Sequence, residues 1–127
     1  GKQAYQAPEM HDSVVQYDAF LSDAFALGVV LFALAAQDYP WSCTKRQSCK
    51  LFDYASLFGF RMLLEKRKLR QCGGECLLRV LSPGIIDVLE GLLQPDPAQR
   101  LTIGESCYAG REDKRSVWSK KWVESGC

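Results

Sequence analysis

Six cysteines, a single histidine, one aspartate at the start of an apolar run and a short basic stretch are the residues through which this chain could do chemistry. Cys72-Gly-Gly-Glu-Cys76 places two thiols close together, but a structural zinc takes four thiolate or imidazole ligands. The only histidine, His11, is far off in sequence and stands beside Asp12 and Ser13, so it reads as a surface residue, and no metal is expected. Cys43, Cys49, Cys72, Cys76, Cys107 and Cys127 could pair into a disulfide framework. With no secretory signal and enough apolar residues for a core, reduced thiols in an intracellular protein are the expectation. Lys66-Arg67-Lys68-Leu69-Arg70 can be read as an import signal or a phosphate-binding patch. Cations at a helix C-terminus are also favoured by the dipole alone. Asp23, next to Ser22, has the plain reading of a helix cap.

The element that must position these groups runs from Ser22 to Ala36. Between Ala24 and Ala36 there is no polar side chain, so a helix here has no solvent face and is buried in a core or in lipid. Lipid is the weaker option, because a bilayer takes about 20 apolar residues and Gln37, Asp38 and Pro40 close the run. Gly28 costs about 1 kcal/mol in mid-helix, which suggests a close approach by another backbone.

Around this helix the chain has 127 residues, 47% of them hydrophobic and 24% charged, and a net charge of +1. That is one domain's worth of chain, with no bulk electrostatic preference for nucleic acid or a membrane surface. Its start at Gly1, without Met, reads as a piece of a longer chain. Pro8 predicts an extended arm leading into a helical turn at Glu9 to His11. Tyr39-Pro40-Trp41 is an aromatic turn, Cys43 to Lys50 a polar basic loop, and Leu51 to Leu69 a helical stretch with one apolar stripe. Ser82-Pro83 starts an amphipathic helix that stops at Pro95-Asp96-Pro97, and Thr102-Ile-Gly-Glu105 has the form of a capping box opening another. The charged tail from Arg111 has only Val117, Trp118, Trp122 and Val123 as anchors and should be the least ordered part. The coarse expectation is mainly α: four or five helices about Ser22–Ala36, and no convincing sheet.

The order Ala7-Pro8-Glu9, Ser22-Asp23 leading into Leu27-Gly28-Val29-Val30-Leu31, Tyr39-Pro40-Trp41, and Leu92-Leu93-Gln94-Pro95-Asp96-Pro97-Ala98-Gln99-Arg100-Leu101-Thr102 resembles the C-terminal lobe of a eukaryotic protein kinase. The resemblance covers residues 1–106, a partial kinase domain, and leaves 107–127 as a charged extension. It implies that Ala7-Pro8-Glu9 closes the activation segment and that Glu9 pairs with Arg100. It also implies that Asp23 accepts hydrogen bonds from a catalytic loop, and that Gly28 lets the helix pack tightly. Gly1 and Tyr5 fit the serine/threonine pattern Gly-Thr-x-x-Tyr-x-Ala-Pro-Glu, with Lys2, Tyr5, Ala7, Pro8 and Glu9 as the end of the activation segment and the substrate-docking residues. Lys2 departs from that pattern, where Thr usually contacts the catalytic Asp. Phe25 and Ala26 replace the usual Trp and Ser.

No Gly-rich loop, strand lysine, His-Arg-Asp or Asp-Phe-Gly is present in these residues, and those are the groups that hold ATP and Mg²⁺. No catalytic residue is therefore assigned here. The resemblance implies an intact serine/threonine kinase with a protein or peptide substrate, ATP and Mg²⁺ bound outside this chain, and a cytoplasmic or nuclear location. It also implies a chain inert alone, whose helix face toward the missing N-lobe and catalytic loop leaves an apolar patch and an unpaired Asp23. A pseudokinase or scaffold lobe, motivated by Lys2, is the second reading. An unrelated helical interaction domain, with Glu9 and Arg100 apart, is the third.

Overall fold

The computed structural model describes residues 3–12, 16–69 and 74–119; Gly1, Lys2, Arg70, Cys72, Trp122, Val123 and Cys127 lie outside them. The architecture is mainly α. Four α-helices accompany α1 (Ala19–Ala36), with short 3-10 turns before α1 and after the last of them, and pairing between extended segments is limited, among the described residues, to isolated bridges at Lys68–Cys76 and Thr102–Ser116.

α1 begins three residues earlier than the Ser22 start read from the sequence. The cap is Asp18, whose carboxylate accepts the Phe20 N–H at 2.9 Å, satisfying a donor the first helical turn leaves open. Ser22 is thus inside the helix, and its hydroxyl bonds back to the Ala19 carbonyl. With a mean hydropathy of 2.1, α1 is long and apolar enough to cross a bilayer. Here Ala24, Phe25, Val29 and Phe32 are wholly enclosed.

Two apolar clusters divide the faces of α1. The larger joins Phe25, Val29 and Phe32 to Trp41, Phe52, Phe60, Leu63, Leu64 and Leu89. The smaller joins Ala24 to Val88, Leu92, Leu101 and Val117. Full burial of each such side chain is worth about 1.5–3 kcal/mol, so these clusters and not intrinsic propensity hold α1 in place.

α2 (Lys50–Phe58) and α3 (Phe60–Lys66) split the single stretch read at Leu51 to Leu69. Gly59 sits between them at φ 102°, which breaks the ladder. α4 (Leu77–Val80) is one turn, and α5 (Pro83–Leu92) starts as read, with Ser82 accepting from the Ile85 N–H and Pro83 in the first turn. The helix read after Thr102 does not form. The reciprocal bonds of a capping box are not made: Thr102 accepts from the Gly104 N–H and Glu105 from that of Ile103, the Thr102 N–H goes to the Arg115 carbonyl, Gly104 at φ 89° turns the chain away, and only a 3-10 turn at Ser106–Tyr108 follows. Residues 111–119 pack back instead: Thr102 pairs with Ser116, and Val117 is buried.

α1 ends at Gln37, which adopts φ 60° and donates its N–H to the Ala33 carbonyl. A left-handed residue closing a helix is usually glycine, because a Cβ there costs roughly 1–2 kcal/mol. Gln37→Gly should therefore raise stability by about 1 kcal/mol and the thermal midpoint by roughly 4 °C. An unchanged or lower midpoint in a calorimetric scan would show that the glutamine side chain contributes more than its backbone strain.

Candidate functional site

The segment Gln3 to His11 is fastened at both ends, and each fastening comes from a distant part of the chain. Its first half is held by the loop after α1. Trp41 donates its indole N–H to the Ala4 carbonyl at 3.1 Å, and Thr44 donates its hydroxyl to the Gln6 carbonyl at 2.6 Å. The Tyr5 ring meets Tyr39 edge-on at 5.6 Å, with their hydroxyls 3.3 Å apart. Since the Thr44 proton is already committed to Gln6, the 2.9 Å contact between Thr44 Oγ1 and His11 Nε2 has the imidazole N–H as donor. His11, read as a bare surface residue, thus joins the segment to this loop. Cys43 and Thr44, expected in a polar loop, are buried.

The second half is held by Arg100. Pro8 starts a 3-10 turn over Pro8–His11 that aims Glu9 inward. The Glu9 carboxylate takes two guanidinium bonds, Nη1 at 2.6 Å and Nη2 at 2.9 Å, across 91 positions of sequence. The Arg100 side chain is 0% exposed and that of Glu9 12%. Nε donates to the Gln94 carbonyl, Nη1 also to Leu21 and Nη2 also to Pro95, which uses all five N–H donors. The Pro95-Asp96-Pro97 turn, with Asp96 accepting from the Ala98 N–H, bends the chain so that Arg100 enters from beneath α1. Its guanidinium also lies 5.0 Å from the Phe25 ring centroid.

Two residues singled out in the sequence, Gly28 and Asp23, stand apart from this pair. Gly28 faces α5: a Cβ there would come within 2.9 Å of Leu92 Cβ, so the close approach involves leucine side chains and not a bare backbone. Asp23 is exposed on α1, and its carboxylate makes no hydrogen bond to another described residue. Along the same line of the helix follow Leu27, half-buried against the Ala24–Leu92 cluster, and then Val30 and Leu34, both exposed, the last to 70%. Lys2 lies outside the described residues.

The basic run at Lys66 to Arg70 is divided by the fold. Arg67 clamps the turn after α1, bonding the Pro40 carbonyl at 2.8 Å, the Tyr39 carbonyl at 3.2 Å and the Asp38 carboxylate at 3.0 Å. Lys66 lies 4.5 Å from the centroid of the Tyr54 ring. Two of these cations therefore serve packing. Between this turn and the segment lies a groove of about 510 Å³, lined by Gln3, Ala4, Asp38, Tyr39, Trp41 and Leu51.

Cys43, Cys49, Cys76 and Cys107 carry free thiols, and among the described residues no group of three or more His, Cys, Asp or Glu could hold a metal ion. Cys49 is distinctive. Burial pushes its thiol up, but bonds from the Ser42 hydroxyl and the backbone of Phe52, Ser42 and Cys43 outweigh that and bring it down to about 7. At the far end of α1, burial and the hydrogen bond to Asp18 hold the Tyr108 phenol above its ordinary range. That bond ties Ser106–Tyr108 to the α1 cap.

The site is therefore a two-sided clamp on one N-terminal segment, built on a buried helix. No protein-family model matches the chain. Over 105 residues, 81% of its length, it is 30% identical to serine/threonine-protein kinase chk1 of Schizosaccharomyces pombe (strain 972 / ATCC 24843), and it spans 18% of that protein. The similarity points to a kinase-like relationship for this part of the chain.

Proposed function

We propose that this chain is part of the helical lobe of a serine/threonine protein kinase, whose intact form moves the γ-phosphoryl group of ATP to a protein Ser or Thr. The observation that carries the reading is the Glu9–Arg100 pair. It binds Ala7-Pro8-Glu9 to the turn at Pro95–Arg100, two motifs of the resemblance that lie 91 residues apart. On this reading residues 1–106 are a partial kinase domain and 107–127 an extension. Lys2, Tyr5, Ala7, Pro8 and Glu9 end the activation segment, and the groove beside Gln3 and Ala4 receives part of a peptide substrate.

Asp23, Leu27, Val30 and Leu34 form the face on which a catalytic loop would sit, with Asp23 accepting its backbone N–H groups. ATP and Mg²⁺ would be held by residues outside this chain, since none of their binding motifs occurs in it. Phosphoryl transfer rests on positioning and charge stabilisation, so the 127 residues alone are inert. The same reading makes the protein intracellular, cytoplasmic or nuclear. A scaffold lobe that has lost catalysis is the second reading, favoured by Lys2 in place of the Thr that contacts the catalytic Asp.

The test is to recover the longer protein from its transcript and assay ATP-dependent phosphorylation of a mixed Ser/Thr peptide library. Transfer by the longer protein and none by the 127-residue chain is the expected result. No transfer, with the upstream catalytic residues intact, would favour the scaffold and point to Lys2.

A further inference from the structure

We propose that Ser48 is a phosphorylation site, modified by a basophilic serine/threonine kinase, one whose peptide cleft is acidic. The loop before α2 is anchored at one end by buried Cys43 and Thr44 and at the other by half-buried Cys49. Between the anchors, Lys45, Arg46, Gln47 and Ser48 are all exposed. They form a turn closed by the Ser48 N–H on the Lys45 carbonyl at 3.1 Å, with Gln47 at φ 65° and its N–H on Asp53 at 3.2 Å. Opening this turn gives up two solvent-facing hydrogen bonds and no buried side chain.

Charge selects the serine. Lys45 and Arg46 stand three and two residues before it, Lys50 two residues after it, and no acid interrupts the run. Such a pattern is read by carboxylates lining a kinase's peptide cleft, and a cleft of the opposite charge rejects it. Two other serines have a cation within the three residues before them, and the fold occupies both. Ser82 follows Arg79, but its hydroxyl caps α5 and Pro83 follows it. Ser116 follows Lys114 and Arg115, but it is half-buried in the bridge to Thr102. The Ser48 hydroxyl makes no hydrogen bond to another described residue.

In the transfer, Ser48 Oγ forms a bond to the γ-phosphorus of ATP while the bond from that phosphorus to the β–γ bridging oxygen breaks. ADP leaves with the electron pair, and the hydroxyl proton passes to the modifying enzyme's base. The product carries about −1.5 to −2 charge at pH 7, placed among Lys45, Arg46 and Lys50. Lys45 and Arg46 also border a groove of about 800 Å³ floored by Phe52 and Leu57. Phosphorylation therefore changes the charge beside this groove.

The experiment uses the full 127-residue chain, ATP and the catalytic subunit of cyclic-AMP-dependent protein kinase as a basophilic probe, with tandem mass spectrometry to locate the phosphate. Label at Ser48 is expected. Ser48→Ala should remove it, Ser82→Ala should leave it unchanged, and the double variant Lys45→Ala, Arg46→Ala should lower kcat/KM at least tenfold. Three outcomes would each overturn the proposal: no label at Ser48 in the native chain, equal incorporation in Ser48→Ala, or undiminished labelling of the double variant. A synthetic peptide spanning residues 42–52, labelled where the native chain is not, would locate the failure in a turn that does not open.

Discussion

Arg100→Ala should destabilise the chain by about 3–5 kcal/mol, the scale for removing one partner of a buried ion pair. Domains are stable by only about 5–15 kcal/mol, so the loss takes a large share. Most of it is the cost of the groups left behind. Glu9 keeps a carboxylate in a site 12% exposed, and the carbonyls of Gln94, Leu21 and Pro95 lose their shared donor. That division makes a second measurement informative. Replacing both partners of a buried pair by apolar residues is often neutral, yet Glu9→Met with Arg100→Met should remain about 2 kcal/mol below the parent, because the Gln94 and Pro95 carbonyls lose their donor at about 1 kcal/mol each, while that of Leu21 keeps its partner within α1. Urea titration of the two variants separates the terms. A loss under 1 kcal/mol in Arg100→Ala would mean that water replaces the guanidinium at little cost and that the pair does not hold the segment.

This pair was legible only through the resemblance to the kinase C-terminal lobe: by itself the Pro8-Glu9 turn is a weak signal, and no spacing rule joins Glu9 to Arg100. α1 was visible for a different reason: an uninterrupted apolar run excludes a solvent face. Its start was misread because Ser22 and Asp23 have the chemistry of a cap, as does Asp18. Only the backbone decides which oxygen reaches an open N–H, and here Asp18 reaches that of Phe20. The false helix after Thr102 has the same origin. Its residue types have the spacing of a capping box, but their oxygens take the N–H groups of Gly104 and Ile103, and Gly104 takes a conformation that ends the helix before it begins.

The bonds least legible in advance were those from side chains to carbonyl groups. Trp41 to Ala4, Thr44 to Gln6 and Arg67 to Pro40 all end on main-chain oxygens, which every residue carries and no residue type marks. Their donors looked ordinary. Trp41 read as part of an aromatic turn, Thr44 as part of a polar loop, and Arg67 as one member of a basic run. In each case the fold, by burying or half-burying the donor, gave it a specific acceptor.

Trp41→Ala is the other change expected to have a large effect, about 3–5 kcal/mol, since the indole is 2% exposed and its removal opens a cavity. The ring stacks on Phe25 at 5.8 Å and meets Phe52 edge-on at 4.8 Å, so two further aromatics lose their packing. Trp41→Phe isolates the polar contribution. It keeps most of the apolar contact but leaves the Ala4 carbonyl without its N–H, a cost of about 1–2 kcal/mol. The two variants should differ in hydrogen exchange as well. Trp41→Phe should speed exchange mainly in residues 3–9, and Trp41→Ala throughout the helices that meet Phe25 and Phe52. Phe25 lies between the two fastenings, with Trp41 stacked on it and the Arg100 guanidinium 5.0 Å from its centroid. Losing Trp41 should therefore loosen Arg100 too. Arg100→Ala and Trp41→Ala together should cost less than the sum of the single losses by more than 0.5 kcal/mol, the lower range of coupling for residues that share partners. Additive losses would mean that the two ends of the segment are held independently, each by its own clamp.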